Sequence, residues 1–188
     1  MPTRDPQDIA EAVAAVRGGG VVAYPTEAVW GLGCDPRDET ATLRLLALKR
    51  RAVDKGLILV AATRAQLDPF VDWDVLANTR RDVVCASWPG PHTWIVPARA
   101  DTPAWIRGAH AGVAVRVSAH AGVLALCNAF GGAIVSTSAN VAGMPAPRTL
   151  AELDPAIRAG VDAVVAGETA GLERPTAIRD AGSGEVLR

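Results

Sequence analysis

Apolar positions along the chain fall into short blocks whose period switches between helical and extended. Ile9, Ala12, Val13 and Val16 mark one face of a helix opened by Asp5-Pro6 and stopped by Gly18-Gly19-Gly20. Residues 21–24 form an unbroken apolar run that reads as a buried strand, and Pro25 ends it because proline has no N–H for a ladder. Asp38, Glu39 and Thr40 open a second helix, Leu43, Leu46 and Ala47 supply its apolar face, and Lys49-Arg50 closes it in the order the macrodipole prefers. A strand follows over 57–62, helical pieces over 66–70 and 75–86, and short strands over 92–97 and 113–117. A helix over 123–130 is stopped by Gly131-Gly132, and residues 133–135 begin another buried strand. Pro145 and Pro147 mark a surface loop, 150–159 a helix and 162–166 a last strand. Helices and strands alternate, which predicts an α/β fold. Some neighbouring strands lack room for a crossover helix, so the sheet is expected to be mixed. No internal repeat, low-complexity tract or linker divides residues 1–188.

Composition narrows the classes. With 188 residues, 49% hydrophobic and 21% charged, the chain suits one ordinary globular domain. A formal net charge of −1 gives no global basic field for nucleic acid. No apolar run is long enough to span a bilayer and no secretory h-region opens the chain, so a cytoplasmic protein with no membrane partner is expected. Cys34, Cys85 and Cys127 show neither metal-ligand spacing nor a disulfide framework. His92, His110 and His120 lie in unrelated segments, His120 at a helix start and His92 in a strand, and no zinc site follows from them. Trp88, Trp94 and Trp105 read as core or cleft wall.

Four stretches carry polar chemistry. Thr26 and Glu27 stand at the carboxyl end of the first strand, where open α/β sheets place ligands, and Gly31 and Gly33 permit close backbone approach. Lys49, Arg51 and Lys55 crowd the junction between the second helix and the second strand; in extended backbone Lys49 and Arg51 would point the same way. They are either a solvated helix end or a cradle for a polyphosphate or carboxylate. Ser136, Ser138 and Asn140 share one face of an extended segment, which fits a turn and helix cap or a ligand's hydrogen bonds equally. Arg116, among valines, either faces solvent or clamps a carboxylate at the sheet surface.

The wording of these stretches resembles the YrdC-type threonylcarbamoyl-AMP synthases. The resemblance rests on Pro-Thr-Glu-Ala-Val-Trp-Gly-Leu-Gly at 25–33, Lys-Arg-Arg at 49–51, Lys-Gly-Leu-Ile at 55–58, Trp-Pro-Gly-Pro at 88–91, Ala-Val-Arg-Val at 114–117, Ser-Thr-Ser-Ala-Asn at 136–140 and Ile-Arg-Asp at 178–180. It spans nearly the whole chain and implies a single-domain, twisted, open mixed sheet with flanking helices. It also implies synthesis of threonylcarbamoyl-AMP and pyrophosphate from L-threonine, bicarbonate or CO2, and ATP, with the product passed to threonylcarbamoyl-transfer proteins that modify tRNA. Carried over motif by motif, Thr26, Arg116, Ser136 and Thr176 would bind threonine, with Arg116 on its carboxylate. Lys49, Arg51, Lys55, Ser138 and Asn140 would bind ATP, with Lys49 and Arg51 acting at the reacting phosphorus and the leaving group. Mg²⁺ would ride on the phosphates, and tRNA contact would be weak or indirect. Ala52 stands where the family often has proline, Lys55 where it often has asparagine, Ala28 for threonine and Trp30 for tyrosine or phenylalanine. An RNA-binding module without catalysis, or a carbamoyl-transfer role as in hydrogenase maturation proteins, are the competing readings.

Overall fold

The computed structural model describes residues 7–173 and 175–187. Among them eight strands form one mixed sheet, in the order β7-β1-β2-β6-β3-β5-β4-β8. The chain begins with helix α1 (Ile9–Arg17), capped by the Asp8 carboxylate on the Glu11 N–H. The expected Asp5-Pro6 opening lies outside the described residues.

Strand β1 (Val22–Pro25) ends at its proline, as expected, and turns through 26–29 into an antiparallel partner, β2 (Trp30–Gly33). β2 does not show in the sequence pattern. It is Trp-Gly-Leu-Gly, and two glycines in four residues weaken any strand signal. The structure shows why Gly33 is needed: a Cβ there would lie 2.6 Å from the Val135 carbonyl and 2.8 Å from the Tyr24 ring.

Helix α2 (Glu39–Lys49) is capped by Asp38, and strand β3 (Ile58–Ala61) follows. The pieces expected over 66–70 and 75–86 are a 3-10 turn at Arg64–Leu67 and helix α3 (Asn78–Ala86), which starts three residues late and leaves Val75 exposed. β4 (Thr93–Pro97) begins just after His92, and a single helical turn, α4 (Ala104–Arg107), leads to β5 (Gly112–Val117). α5 (Ala121–Phe130) is capped by His120, whose Nδ1 accepts the Gly122 N–H, and ends at Gly131. β6 (Ile134–Ser138) comes next.

The helix expected over 150–159 is broken in two. Leu150–Glu152 is a 3-10 turn, and α6 (Pro155–Gly160) restarts behind an Asp154 cap. Pro155 forces the break, because it has no N–H for a continuing helix but fits a first turn well. β7 (Ala163–Val164) pairs with β1 in parallel, and β8 (Ile178–Asp180) adds a strand beside β4.

Strand alternation sorts the core into two layers. Val21, Ala23, Leu59, Ala61, Val115 and Val135 join Leu45 of α2 and Ile157 of α6 on one face. Val22, Tyr24, Val60 and Ile134 join Val13 and Val16 of α1 and Leu126 of α5 on the other. Both faces of the central strands are therefore buried, which explains why the sequence shows them as unbroken apolar runs.

Candidate active site

The α1/α5 pair covers only part of its face of the sheet. Register places Ile95 of β4 opposite Ala114 of β5, Ala114 opposite Ile58 of β3, and Ile58 opposite Ser136 of β6. These four residues line a cavity of about 900 Å³ together with Arg116 and Ser138, each two residues further on. Along β5, Val113, Val115 and Val117 enter the opposite core, while Gly112, Ala114 and Arg116 face the cavity. The volume falls within the range of small-ligand sites, about 300–1,000 Å³.

All the residues to which the resemblance gives a substrate line this one cavity, Thr26, Lys49, Arg51, Lys55, Arg116, Ser136, Ser138, Asn140 and Thr176, while Glu27, singled out beside Thr26, does not. At one end Arg116, only 7% exposed, lies inside the sheet and not in solvent. Its Nη1 donates to Thr176 Oγ1 at 3.2 Å, and Thr176 meets Thr93 Oγ1 at 3.1 Å. Its Nη2 is 3.4 Å from Glu27 Oε2. Ser136 and Thr26 are buried beside it, but the Thr26 hydroxyl donates to the Val29 carbonyl at 2.7 Å, closing the 26–29 turn. Burial opposes ionisation of Glu27, yet the Arg116 charge, the Ser118 hydroxyl and backbone N–H groups together hold its carboxyl below the usual range.

At the other end the backbone differs from the extended path expected after α2. Lys49 is the last helical residue, and Arg50 follows in a left-handed conformation (φ 50°, ψ 45°). That reversal, with the Arg51 N–H returning to the Leu46 carbonyl at 3.0 Å, leaves Arg50 exposed and brings Lys49 and Arg51 to the cavity. Lys49 Nζ donates to the Ser138 and Asn140 carbonyls, and the Lys49 carbonyl accepts the Ala142 N–H at 2.8 Å. Burial, reinforced by the Arg51 charge, depresses the Lys49 ammonium to about 8. Arg51 Nη2 donates to the Gly56 carbonyl at 3.0 Å. Asn140 lies just past β6 and lines the cavity with Ser136 and Ser138; its amide Nδ2 folds back on the Val141 and Met144 carbonyls, and among the described residues its buried Oδ1 has no hydrogen-bond partner.

Two cationic ends thus share one floor of small and apolar side chains, an arrangement with the charge and volume to take anionic groups at both ends. Sequence reasoning gave no role to Ser118, Arg107, His110 or Asp180, of which the last three line the cavity. Ser118 could have been found from its place two residues beyond Arg116, on the same strand face.

The profile of the Sua5/YciO/YrdC family, described as "Telomere recombination", matches residues 14–188. A protein of Xanthomonas euvesicatoria pv. vesicatoria named threonylcarbamoyl-AMP synthase is 59% identical over 184 residues, covering 98% of each chain. The chain belongs to the Sua5/YciO/YrdC family. Among solved structures, P. abyssi Sua5 complexed with L-threonine superimposes with a TM-score of 0.84 at 30% identity, over 92% of this chain and 50% of that one. E. coli YciO superimposes with a TM-score of 0.83 at 24% identity, over 99% of this chain and 91% of that one, and speaks for the fold alone. The family fold is the open mixed sheet with flanking helices described above.

Proposed function

We infer that this chain is an L-threonylcarbamoyladenylate synthase, a nucleotidyltransferase that makes threonylcarbamoyl-AMP and pyrophosphate from L-threonine, bicarbonate or CO2, and ATP. The observation that carries the reading is the single cavity with Arg116, Ser136 and Thr176 at one end and Lys49, Arg51 and Lys55 at the other. The high identity to proteins named for this activity supports it over an RNA-binding module without catalysis. The net charge of −1 also argues against tight unaided RNA binding, so contact with tRNA is proposed to be weak or indirect.

In this reading Arg116 pairs with the threonine carboxylate, beside Ser136 and Thr176. The threonine amine adds to CO2 with loss of a proton, giving a carbamate. A carbamate oxygen attacks the α-phosphorus of ATP, forming the P–O bond as the bond to the β-phosphate oxygen breaks and pyrophosphate leaves. Arg51, Lys49 and Lys55 balance the charge that shifts onto the leaving group. Asn140 and Ser138 flank the nucleotide, the former through its unpartnered Oδ1. Mg²⁺ is proposed to arrive on the triphosphate, where it neutralises phosphate charge. Among the described lining residues the carboxylate is that of Asp180, whose Oδ1 accepts the Ser183 N–H at 2.7 Å, which fits an ion carried by phosphate oxygens. Threonylcarbamoyl-transfer proteins would consume the product, and the cytoplasm is the compartment proposed; among the described residues no helix is long and apolar enough to cross a membrane.

Pyrophosphate release tests the reading. It is expected only when ATP, threonine and bicarbonate are all present, and serine should be a poorer substrate by about 10–200-fold, because one methyl is worth only about 1–3 kcal/mol. Release that ignores bicarbonate would contradict the reading.

A further inference from the structure

Glu27 does not line the cavity, yet its carboxylate is the negative charge closest to the guanidinium at the threonine end. Both side chains are almost fully enclosed, with 8% of Arg116 and 5% of Glu27 exposed. The carboxylate is itself fixed. Its Oε1 accepts the Ser118 hydroxyl at 2.6 Å and the Ala119 N–H at 3.2 Å, which leaves Oε2 for Arg116. Ser118 has no freedom to turn away, because its oxygen accepts the His120 N–H at 3.1 Å and so directs its proton to Glu27. On the far side of the guanidinium the Thr93–Thr176 hydroxyl pair meets Nη1. Arg116 is therefore held by a hydrogen bond on one side and by an ion pair on the other, and among the described residues neither its Nε nor Glu27 Oε2 has a hydrogen-bond partner.

We propose that Glu27, anchored by Ser118, is a positioning residue that sets the Arg116 guanidinium for the substrate carboxylate. The proposal rests on the assignment of Arg116 to threonine made above and adds the group that aims it. Two alternatives predict different signs. If Glu27 only balanced charge, its neutralisation would leave Arg116 with a stronger pull on a carboxylate, and threonine would bind more tightly. If Glu27 only supported the fold, its loss would weaken every ligand of the cavity alike. Positioning predicts instead a loss confined to ligands that carry the carboxylate. In Glu27→Gln, the oxygen retained for Ser118 and Ala119 turns the amide NH2 towards Nη2, donor against donor, and displaces the guanidinium.

The test compares binding of L-threonine and L-threoninamide, which lacks the carboxylate charge, to wild-type protein, Glu27→Gln and Ser118→Ala by calorimetry, with thermal melting alongside. Wild-type protein should prefer threonine. Glu27→Gln should weaken threonine by at least about tenfold, the value of one misplaced charge-assisted contact, and leave threoninamide unchanged. Ser118→Ala, which keeps the charge and loosens its anchor, should shift threonine in the same direction by a smaller factor, and it decides alone if Glu27→Gln does not fold. Equal losses for both ligands, or tighter threonine binding, would overturn the proposal. A wild-type protein that binds both ligands equally would overturn the assignment of Arg116, and the proposal with it. Pyrophosphate release by the wild type tests the function independently of Glu27.

Discussion

Arg116 and Arg51 carry the same charge at opposite ends of one cavity, and they should fail differently. The threonine carboxylate is present before and after reaction, so Arg116→Ala should raise the KM for threonine and spare that for ATP. Arg51 is proposed to face charge that is redistributed as pyrophosphate departs, so Arg51→Ala should lower kcat as well. A contact to a charged group is worth about 1.5–3 kcal/mol, so each defect should be tenfold or more. Steady-state kinetics with each substrate varied reads both. Lys49 adds a pH dependence. Its pKa near 8 is below the ordinary lysine value because the site is buried and Arg51 is near. On the proposed placement of ATP, it is below pH 8 an ammonium that attracts the triphosphate, and above it a neutral amine that does not. Phosphate raises the pKa of the bound form, so the KM for ATP should climb as pH rises through about 8, while the KM for threonine stays level. These residues were legible as candidates because their motifs are short and polar. Their pairings were not, since Glu27–Arg116 and Lys49–Ser138 join residues separated by about ninety positions.

The elements that show in the sequence are α1, β1, α2, β3, α3, β4, β5, α5, the start of β6 and β7, with α6 showing as part of a longer helix. Those that do not are short, or are held by neighbours against their own preference. β2 exists because its glycines fit under Val135 and Tyr24, and β8 because it lies against β4. The floor of the cavity was legible only in part. The alternation Gly-Val-Ala-Val-Arg-Val in β5 sends its valines to one core, but that Arg116 is buried on the other face depends on where α1 and α5 stop covering the sheet. One departure from the family wording gives a prediction at this scale. Ala52 precedes the 3-10 turn Val53–Lys55 with φ −66° and ψ 141°, and its N–H donates no hydrogen bond among the described residues. Proline fixes that φ at no cost in hydrogen bonds. Ala52→Pro should stabilise the protein by about 0.4–1 kcal/mol, read as a rise of about 1–4 °C in Tm.

For the whole molecule, a mixed sheet buried on both faces leaves one part of one face open. The chain fills that opening with small residues along β5 and β6, and with cations from the end of α2 and the 3-10 turn after it. The proposed reaction is driven by placement of two substrates and by charge at the departing pyrophosphate. The consequence is that carbon from bicarbonate and the α-phosphorus of ATP must end in one compound. The most direct measurement uses carbon-labelled bicarbonate and α-phosphorus-labelled ATP with threonine, separating products within the first turnovers. Both labels should travel together in a single species, in equal amounts to each other and to the pyrophosphate released. Pyrophosphate accompanied by unconjugated AMP, with no carbon label attached, would contradict a cavity that joins threonine to the nucleotide.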